Sequence, residues 1–142
     1  MKTVNQLLQG KSGGVLSVTP ETSVFDALKL MAEKNIGALL VMNGDTLRGI
    51  MSERDYARKV TLLGKSSHEL AVRDIMSDKV VSVTPQQTVD DCMGLMTGRR
   101  IRHLPVLDNG RVVGVLSIGD LVKAVIEMQQ QTIQQLESYI HS

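Results

Sequence analysis

Two serine–aspartate pairs with the same spacing are the residues best suited to do chemistry. Ser52 precedes Asp55 by three residues, and Ser117 precedes Asp120 by three. At the start of a helix this spacing is typical of an N-cap serine with a reciprocal acid. The same geometry also suits a ligand, because free N–H groups and a Ser hydroxyl can bind phosphate, and an Asp can accept two hydrogen bonds from a ribose cis-diol. The pattern alone leaves both interpretations open.

A basic cluster is the second candidate. Four basic or titratable groups crowd into five residues: Arg99, Arg100, Arg102 and His103. A solvated charged loop is the simplest interpretation, and an anion site is the alternative, since Arg suits phosphate geometry. The matching stretch 34–38 has only one such group, so two ligand sites of this kind should differ in strength. Arg54, just after Ser52, could add to the same positive field.

An internal repeat explains why the serine–aspartate pair occurs twice. Residues 15–60 overlay residues 80–125 at a constant offset of 65, with 16 of the 46 positions identical. Further upstream, residues 4–8 resemble residues 72–76 at an offset of 68. The chain is therefore two copies of one unit.

The repeat predicts how the chain is divided. We expect repeat 1 over residues 1–66, repeat 2 over residues 67–128, and a C-terminal helical extension over residues 129–142. Neither repeat is long enough to bury a good core alone. The two should therefore pack together as one module with pseudo-two-fold symmetry.

Each repeat reads as strand, helix, strand, strand, helix, which predicts an α/β fold. A short apolar stretch ends at Thr-Pro in both copies, and Pro cannot sit inside a strand. Apolar residues at helical spacing follow, and then two strands joined by an Asn/Asp/Gly turn. The expected strands cover 15–18, 38–42 and 47–51 in the first copy, and 80–83, 104–107 and 112–116 in the second. The last helices begin at Ser52 and Ser117, which places both pairs at strand-to-helix junctions.

The composition excludes several classes of function. The 142 residues are 42% hydrophobic with a net charge of +1, so no global field is available to gather nucleic acid or an anionic membrane. Phe25, Tyr56 and Tyr139 are the only aromatic residues, too few for the stacking platforms of single-strand binders. No stretch approaches the ~18 apolar residues of a membrane span, and the first residues lack the apolar run of a signal peptide. We expect a cytoplasmic protein.

Metal and catalytic sites find no support in the sequence. Cys92 is the single cysteine, which excludes an internal disulfide and a multi-thiolate metal site. It lies on an apolar helix face, which predicts an inert core thiol. His68, His103 and His141 show no metal-ligand spacing. With no supported nucleophile–base pair, we expect neither a metal nor catalysis.

An apolar stripe marks the C-terminal helix. Its members recur at helical spacing: Leu121, Val122, Val125, Ile126, Ile133, Leu136 and Ile140. No strand follows to cover the stripe. It either packs on the chain's own surface or forms a homodimer contact.

The combined pattern resembles a tandem CBS domain pair, also called a Bateman module. The resemblance rests on the first strand that ends at Thr-Pro, on Arg102-His103-Leu104-Pro105-Val106, and on Gly-x-x-Ser-x-x-Asp, which closes each copy. It covers nearly the whole chain. The stretches 49–60 and 101–125 are similar to small stand-alone bacterial CBS-pair proteins.

The resemblance implies two clefts for adenosine-containing ligands, AMP first and then ADP, ATP, NAD(H) or S-adenosylmethionine. In each, the Asp of one copy would take the ribose and its Ser a phosphate, while the first strand of the other copy would line the adenine. One cleft would use Ser52, Asp55, Ser82, Val83, Thr84, Ile101, Arg102 and His103, and Arg54 and Pro105 are further candidate binding residues. The other would use Ser117, Asp120, Ser17, Val18, Thr19, Ile36, Gly37 and Ala38. Gly37-Ala38 replaces Arg102-His103 in the second cleft, which argues against phosphate binding there.

Three functions remain open. The leading hypothesis is a non-catalytic sensor, in which an adenine nucleotide changes how the copies pack and thereby alters contact with a partner protein. The alternative is a dimerisation and protein-interaction module with vestigial ligand sites, because family members commonly form homodimers. An enzyme that acts on a nucleotide is the third.

Overall fold

The computed structural model describes residues 2–11 and 14–141, which form two compact units. The first unit combines Met1–Gly13 with Ser82–Ser142, and the second is Gly14–Val81. Residues 1–13 thus group with the second repeat, and residues 67–81 group with the first. The predicted boundaries at 66/67 and 128/129 separate repeated stretches of sequence, whereas these two units are defined by compactness. The boundaries therefore remain a prediction.

The second unit contains the first repeat. Its elements are β1 (Ser17–Val18), α2 (Val24–Lys34), β2 (Ala38–Asn43), β3 (Thr46–Ser52), α3 (Glu53–Asp55), a π-helical turn (Tyr56–Val60), α4 (Thr61–Leu63) and α5 (Val72–Ile75). The sheet has the order β1-β2-β3, with β1 parallel and β3 antiparallel to β2. Helix α2 begins where the Ser23 hydroxyl accepts from the Asp26 N–H, and it ends at Asn35 in the left-handed conformation. Its apolar face is buried against the sheet, as the spacing predicts.

The first unit contains the second repeat. Its elements are α1 (Val4–Gln9), α6 (Val89–Arg99), β4 (His103–Asp108), β5 (Arg111–Ser117) and α7 (Ile118–His141). Strands β4 and β5 pair antiparallel around a turn in which Asn109 and Gly110 have positive φ. The buried residues are apolar, and Val89, Cys92, Met96, Leu104, Val106, Leu116 and Leu121 are among them. The α/β class is confirmed, and the order of elements is as predicted apart from the first strand of the second repeat.

The first strand of the second repeat differs from the expectation. A strand over 80–83 is predicted, but the structure has a single parallel bridge between Val83 and Val106. In the first repeat the Leu40 N–H donates to the Leu16 carbonyl, 3.4 Å away. Pro105 occupies the position of Leu40 and has no N–H to donate, so the ladder shortens.

Two short helices dock on the repeats by matching hydrogen bonds. In the second unit, the Val72 N–H of α5 donates to the Thr22 carbonyl at 2.8 Å. In the first unit, the Val4 N–H of α1 donates to the Gln87 carbonyl at the same distance. Helix α1, just upstream of residues 15–60, is therefore packed in the unit that contains residues 82–125, and α5, just upstream of residues 80–125, is packed in the unit that contains residues 15–60.

The C-terminal helix α7 is covered over its first turns only. Leu121 and Ala124 are buried, whereas Ile126, Ile133, Leu136 and Ile140 are exposed within this chain. None of the helices in the described part of the chain combines the length and the apolar character that a membrane crossing requires.

Candidate functional site

Ser52 and Asp55 form a reciprocal cap at the start of α3. The Ser52 hydroxyl accepts from the Asp55 N–H at 3.1 Å, and Asp55 Oδ2 accepts from the Ser52 N–H at 2.9 Å and from its hydroxyl at 3.0 Å. The structural interpretation of the pair is therefore correct. The second carboxylate oxygen, Oδ1, lies 3.5 Å from both Ser77 Oγ and Lys59 Nζ, which is too long for a strong hydrogen bond.

Ser117 and Asp120 repeat this cap at the start of α7. The Ser117 hydroxyl accepts from the Asp120 N–H at 3.2 Å, and Asp120 Oδ2 accepts from the Ser117 N–H at 2.8 Å. Lys11 Nζ donates to the same oxygen at 2.9 Å and to the Val115 carbonyl at 2.7 Å. Burial favours a higher pKa for Asp120, but the hydrogen bond from Ser117 and the bond and charge of Lys11 outweigh it, so the pKa lies below its ordinary value.

The backbone places Gly37 and Ala38 beside the first cap. Ala38 lies opposite Ser52 in the β2–β3 ladder, and the Glu53 N–H donates to the Gly37 carbonyl at 3.0 Å. Ile36, which precedes them, is half-buried. The start of β2 and the start of α3 are thus held together at one end of the sheet.

Arg102 and His103 occupy the equivalent place beside the second cap. His103 lies opposite Ser117 in the β4–β5 ladder, and the Ile118 N–H donates to the Arg102 carbonyl at 2.8 Å. The Arg102 side chain is exposed, and Ile101 and His103 are half-buried. Within one unit the basic cluster therefore lies at the N-terminus of α7. Its combination with Ser52 and Asp55 remains a prediction.

The first-strand residues differ in accessibility. Ser17 and Val18 pair with β2, and the Thr19 N–H turns to the Thr22 hydroxyl at 3.1 Å. In the second repeat Ser82 is half-buried and Thr84 is exposed, with its N–H on Gln87 Oε1 at 2.9 Å. Val83 and Pro105 are buried, so they offer a ligand the least surface. Arg54 lies in α3, next to the cap.

The family follows from a comparison of the whole chain. A family model for the CBS domain matches residues 12–61 and residues 72–127. The chain belongs to the CBS domain family. The two matched segments coincide with the two repeats, and each contains one serine–aspartate cap.

Other CBS proteins match along most of this chain. The mitochondrial CBS domain-containing protein CBSX3 of Arabidopsis thaliana is 42% identical over 139 residues, which cover 93% of this chain and 68% of the relative. A protein with CBS domains from Burkholderia ambifaria is 54% identical, with a TM-score of 0.86 over 89% of this chain and 95% of the other. The CBS domain pair of protein MJ0100, in complex with 5′-methylthioadenosine and S-adenosyl-L-methionine, shares the fold at 24% identity, with a TM-score of 0.79 over 90% of this chain and 98% of the other.

The glycine that opens each CBS closing motif has a packing role. A Cβ on Gly49 would lie 2.7 Å from the Ser77 carbonyl and 2.8 Å from Met76 Sδ. A Cβ on Gly114 would lie 2.5 Å from Leu8 Cδ2. Because a glycine has no Cβ, each of these positions leaves room for the segment that packs against the last strand of its repeat.

Three residues around the CBS aspartates are absent from the sequence-based set. Lys59 follows Asp55 by four residues on helical backbone, a spacing that could have indicated the contact. Ser77 and Lys11 reach Asp55 and Asp120 from segments far away in sequence, and no local pattern signals them. Both aspartates thus have a lysine within 3.5 Å.

Cys92 is a buried free cysteine. Burial, with a smaller effect of Asp91, raises the pKa of the Cys92 thiol to about 11, so it is an unreactive core thiol. Among residues 2–11 and 14–141, no group of three or more His, Cys, Asp or Glu side chains is arranged to hold a metal ion.

Proposed function

We propose that this CBS pair is a non-catalytic sensor of adenine nucleotides, with AMP the first candidate and ADP, ATP, NAD(H) or S-adenosylmethionine the others. The observation that carries the proposal is the duplicated cap: each repeat has a strand that ends at a Ser, followed by an Asp whose carboxylate is held by that Ser. The CBS pair is a regulatory module. The names of the relatives describe no enzymatic activity.

Two sites are part of this proposal. The Asp55 site takes ribose on Asp55, phosphate on Ser52 and the basic residues 102–103, and adenine against residues 82–84. The Asp120 site takes ribose on Asp120, with residues 17–19 and 36–38 around the base. The adenosyl ligands of the MJ0100 pair support this ligand class, and that pair shares the fold.

The chemistry of the Asp55 site favours a ribose diol. The described contacts of Asp55 Oδ1 are with Ser77 Oγ and Lys59 Nζ, and both are 3.5 Å long. A hydroxyl of the sugar could approach it more closely, and a hydrogen bond to a carboxylate is worth ~1.5–3 kcal/mol. The Ser52 hydroxyl donates to Oδ2 at present, and it can rotate toward a phosphate at the helix N-terminus.

Thermal unfolding with a ligand panel tests the proposal. AMP, ADP, ATP, NAD, NADH and S-adenosylmethionine are each added to the full chain. A ligand at 100 times its Kd adds ~2.7 kcal/mol of stability, which raises the Tm by about 5–10 °C. A rise with one of the six supports the sensor. No rise with any of them contradicts it, and turnover of a bound nucleotide would instead indicate an enzyme.

Association of two copies is the second candidate function, and the exposed stripe of α7 favours it. Ile126, Ile133, Leu136 and Ile140 are all exposed within the chain, and such a patch is typical of an interaction surface. Sedimentation velocity of Ile133→Glu tests it, with Gln131→Glu on the opposite helix face as the matched control. A dimer that only Ile133→Glu dissociates supports association through this stripe.

We also propose that the sensor acts on an effector protein and that the protein is cytoplasmic.

A further inference from the structure

Both aspartates have a lysine nearby, but Lys59 Nζ lies 3.5 Å from Asp55 Oδ1, too far for a strong hydrogen bond, whereas the lysine at Asp120 makes a short ion pair. Lys11 forms an ion pair with Asp120 at 2.9 Å, and its ammonium group also donates to the Val115 carbonyl at 2.7 Å. The Lys11 and Asp120 side chains are 39% and 29% exposed. Lys11, upstream of the repeated stretch 15–60, is thus anchored at two points beside the last helix of the second repeat.

The acceptor capacity of Asp120 Oδ2 is filled. A carboxylate oxygen has two lone-pair positions, and on Oδ2 one takes the Ser117 N–H at 2.8 Å and the other takes Lys11. On Asp55 Oδ2 the corresponding second position takes the Ser52 hydroxyl. The Ser52 hydroxyl is neutral and can rotate away from Asp55 at little cost. The Lys11 ammonium has two anchors, and its displacement breaks the ion pair with Asp120.

Charge acts in the same direction. The contacts that lower the pKa of Asp120 keep it ionised, and Lys11 neutralises that charge. A cis-diol that binds both carboxylate oxygens needs the lone pair on which Lys11 sits. The ligand and Lys11 therefore require the same atom.

We infer that Lys11 is a built-in competitor for the ribose at Asp120, so that the Asp120 site fills only when this lysine is displaced. The inference rests on the proposed function, and it adds an order of filling: the Asp55 site binds first. Because linkage is reciprocal, a nucleotide at Asp120 also releases residue 11 from the last helix. Ligand binding would then be converted into release of the Lys11 side chain, while α1 stays docked through its hydrogen bonds to residues 85 and 87.

Calorimetric titration of adenosine into Asp55→Ala chains isolates this competition. Adenosine carries the diol without a phosphate. In the Asp55→Ala background the ribose contact of the Asp55 site is removed, so the titration measures adenosine binding at the Asp120 site. Adding Lys11→Ala should tighten adenosine binding about fivefold, the ratio expected for removal of a half-exposed ion pair. Lys11→Arg should bind adenosine as the background does.

Two controls make the gain specific. Lys2→Ala removes the similar ion pair of Lys2 with Glu127 in the same unit, at 3.1 Å with side chains 35% and 43% exposed, and should leave adenosine affinity unchanged. The gain should also vanish with 2′,3′-dideoxyadenosine, which lacks the diol. Thermal unfolding of each variant confirms that it is folded.

The outcomes separate this inference from the proposed function. Wild-type chain that binds no adenosine ligand overturns both. Wild-type chain that binds, with equal or weaker adenosine binding after Lys11→Ala, overturns the competition alone, and a weaker value would make Lys11 a ligand contact. An Asp55→Ala chain that binds no adenosine with or without Lys11 also overturns it, because Asp120 then takes no ribose.

Discussion

The carbonyl oxygen of Ser77 lies so close to Gly49 that a Cβ atom there would come within 2.7 Å of it. Strand β3 and the segment around Ser77 are tied at this point by an antiparallel bridge, since Ile50 and Ser77 exchange hydrogen bonds of 3.0 and 2.9 Å. The carbonyl therefore cannot move away without breaking the bridge. The first glycine of the CBS closing motif is required by the docked segment, whatever the ligand.

This relationship predicts a graded effect of alanine substitutions. Gly49→Ala meets pinned backbone and should destabilise the chain by about 1–3 kcal/mol. Gly114→Ala meets the end of the Leu8 side chain, which can rotate, and should cost less. Gly94→Ala, in open space within α6, should stabilise by about 0.4–1 kcal/mol. Urea unfolding measures all three, and a neutral Gly49→Ala would mean that the segment does not dock as described.

The caps and turns were predictable because they depend on residues within four positions. Ser52 and Ser117 begin helices as expected, and the Asn109-Gly110 turn joins its strands. The shortened first strand of the second repeat was not predictable from residues 80–83 alone, because its cause, Pro105, lies more than 20 positions further along the chain.

Long-range partners were not predictable. Residues 4–8 and 72–76 resemble each other, so either helix could dock on either repeat as far as its sequence is concerned. The hydrogen bond between Val4 and Gln87 shows that α1 docks in the unit of the second repeat, and it joins residues more than 80 positions apart. The Lys11 contact with Asp120 follows from this docking, and the candidate site acquires its asymmetry from it.

Acid stability should report the Lys11–Asp120 pair. The folded-state pKa of Asp120 lies below its ordinary value, so its contribution to stability is full above the unfolded-state pKa of ~3.9 and is lost as pH falls through the lower folded-state value. Lys11→Ala should raise the pKa of Asp120 and reduce this loss. Carboxyl-carbon NMR titration measures the pKa directly. Lys2→Ala is the control, and an unchanged Asp120 pKa in Lys11→Ala would contradict the pairing.

Arg102 should distinguish phosphate from nucleoside. If it binds phosphate, Arg102→Ala weakens AMP binding about tenfold, as expected for loss of one charge-assisted contact, and leaves adenosine nearly unchanged. Calorimetry with both ligands measures the difference. Arg111→Ala, an exposed arginine in the hairpin of the same repeat, should change neither. Equal losses for AMP and adenosine would show that Arg102 does not read phosphate.

The affinity of Asp55→Ala for AMP tests the central claim most directly, namely that the cap aspartate holds the ribose. Asp74→Ala is the matched control, because Asp74 Oδ2 also accepts from a backbone N–H three residues earlier, at 2.9 Å from Ala71 N, in the same unit. By calorimetry, Asp55→Ala should bind AMP at least ~10-fold more weakly than the wild-type chain, and Asp74→Ala should bind as the wild type does. Unchanged AMP affinity in a folded Asp55→Ala chain would contradict the account.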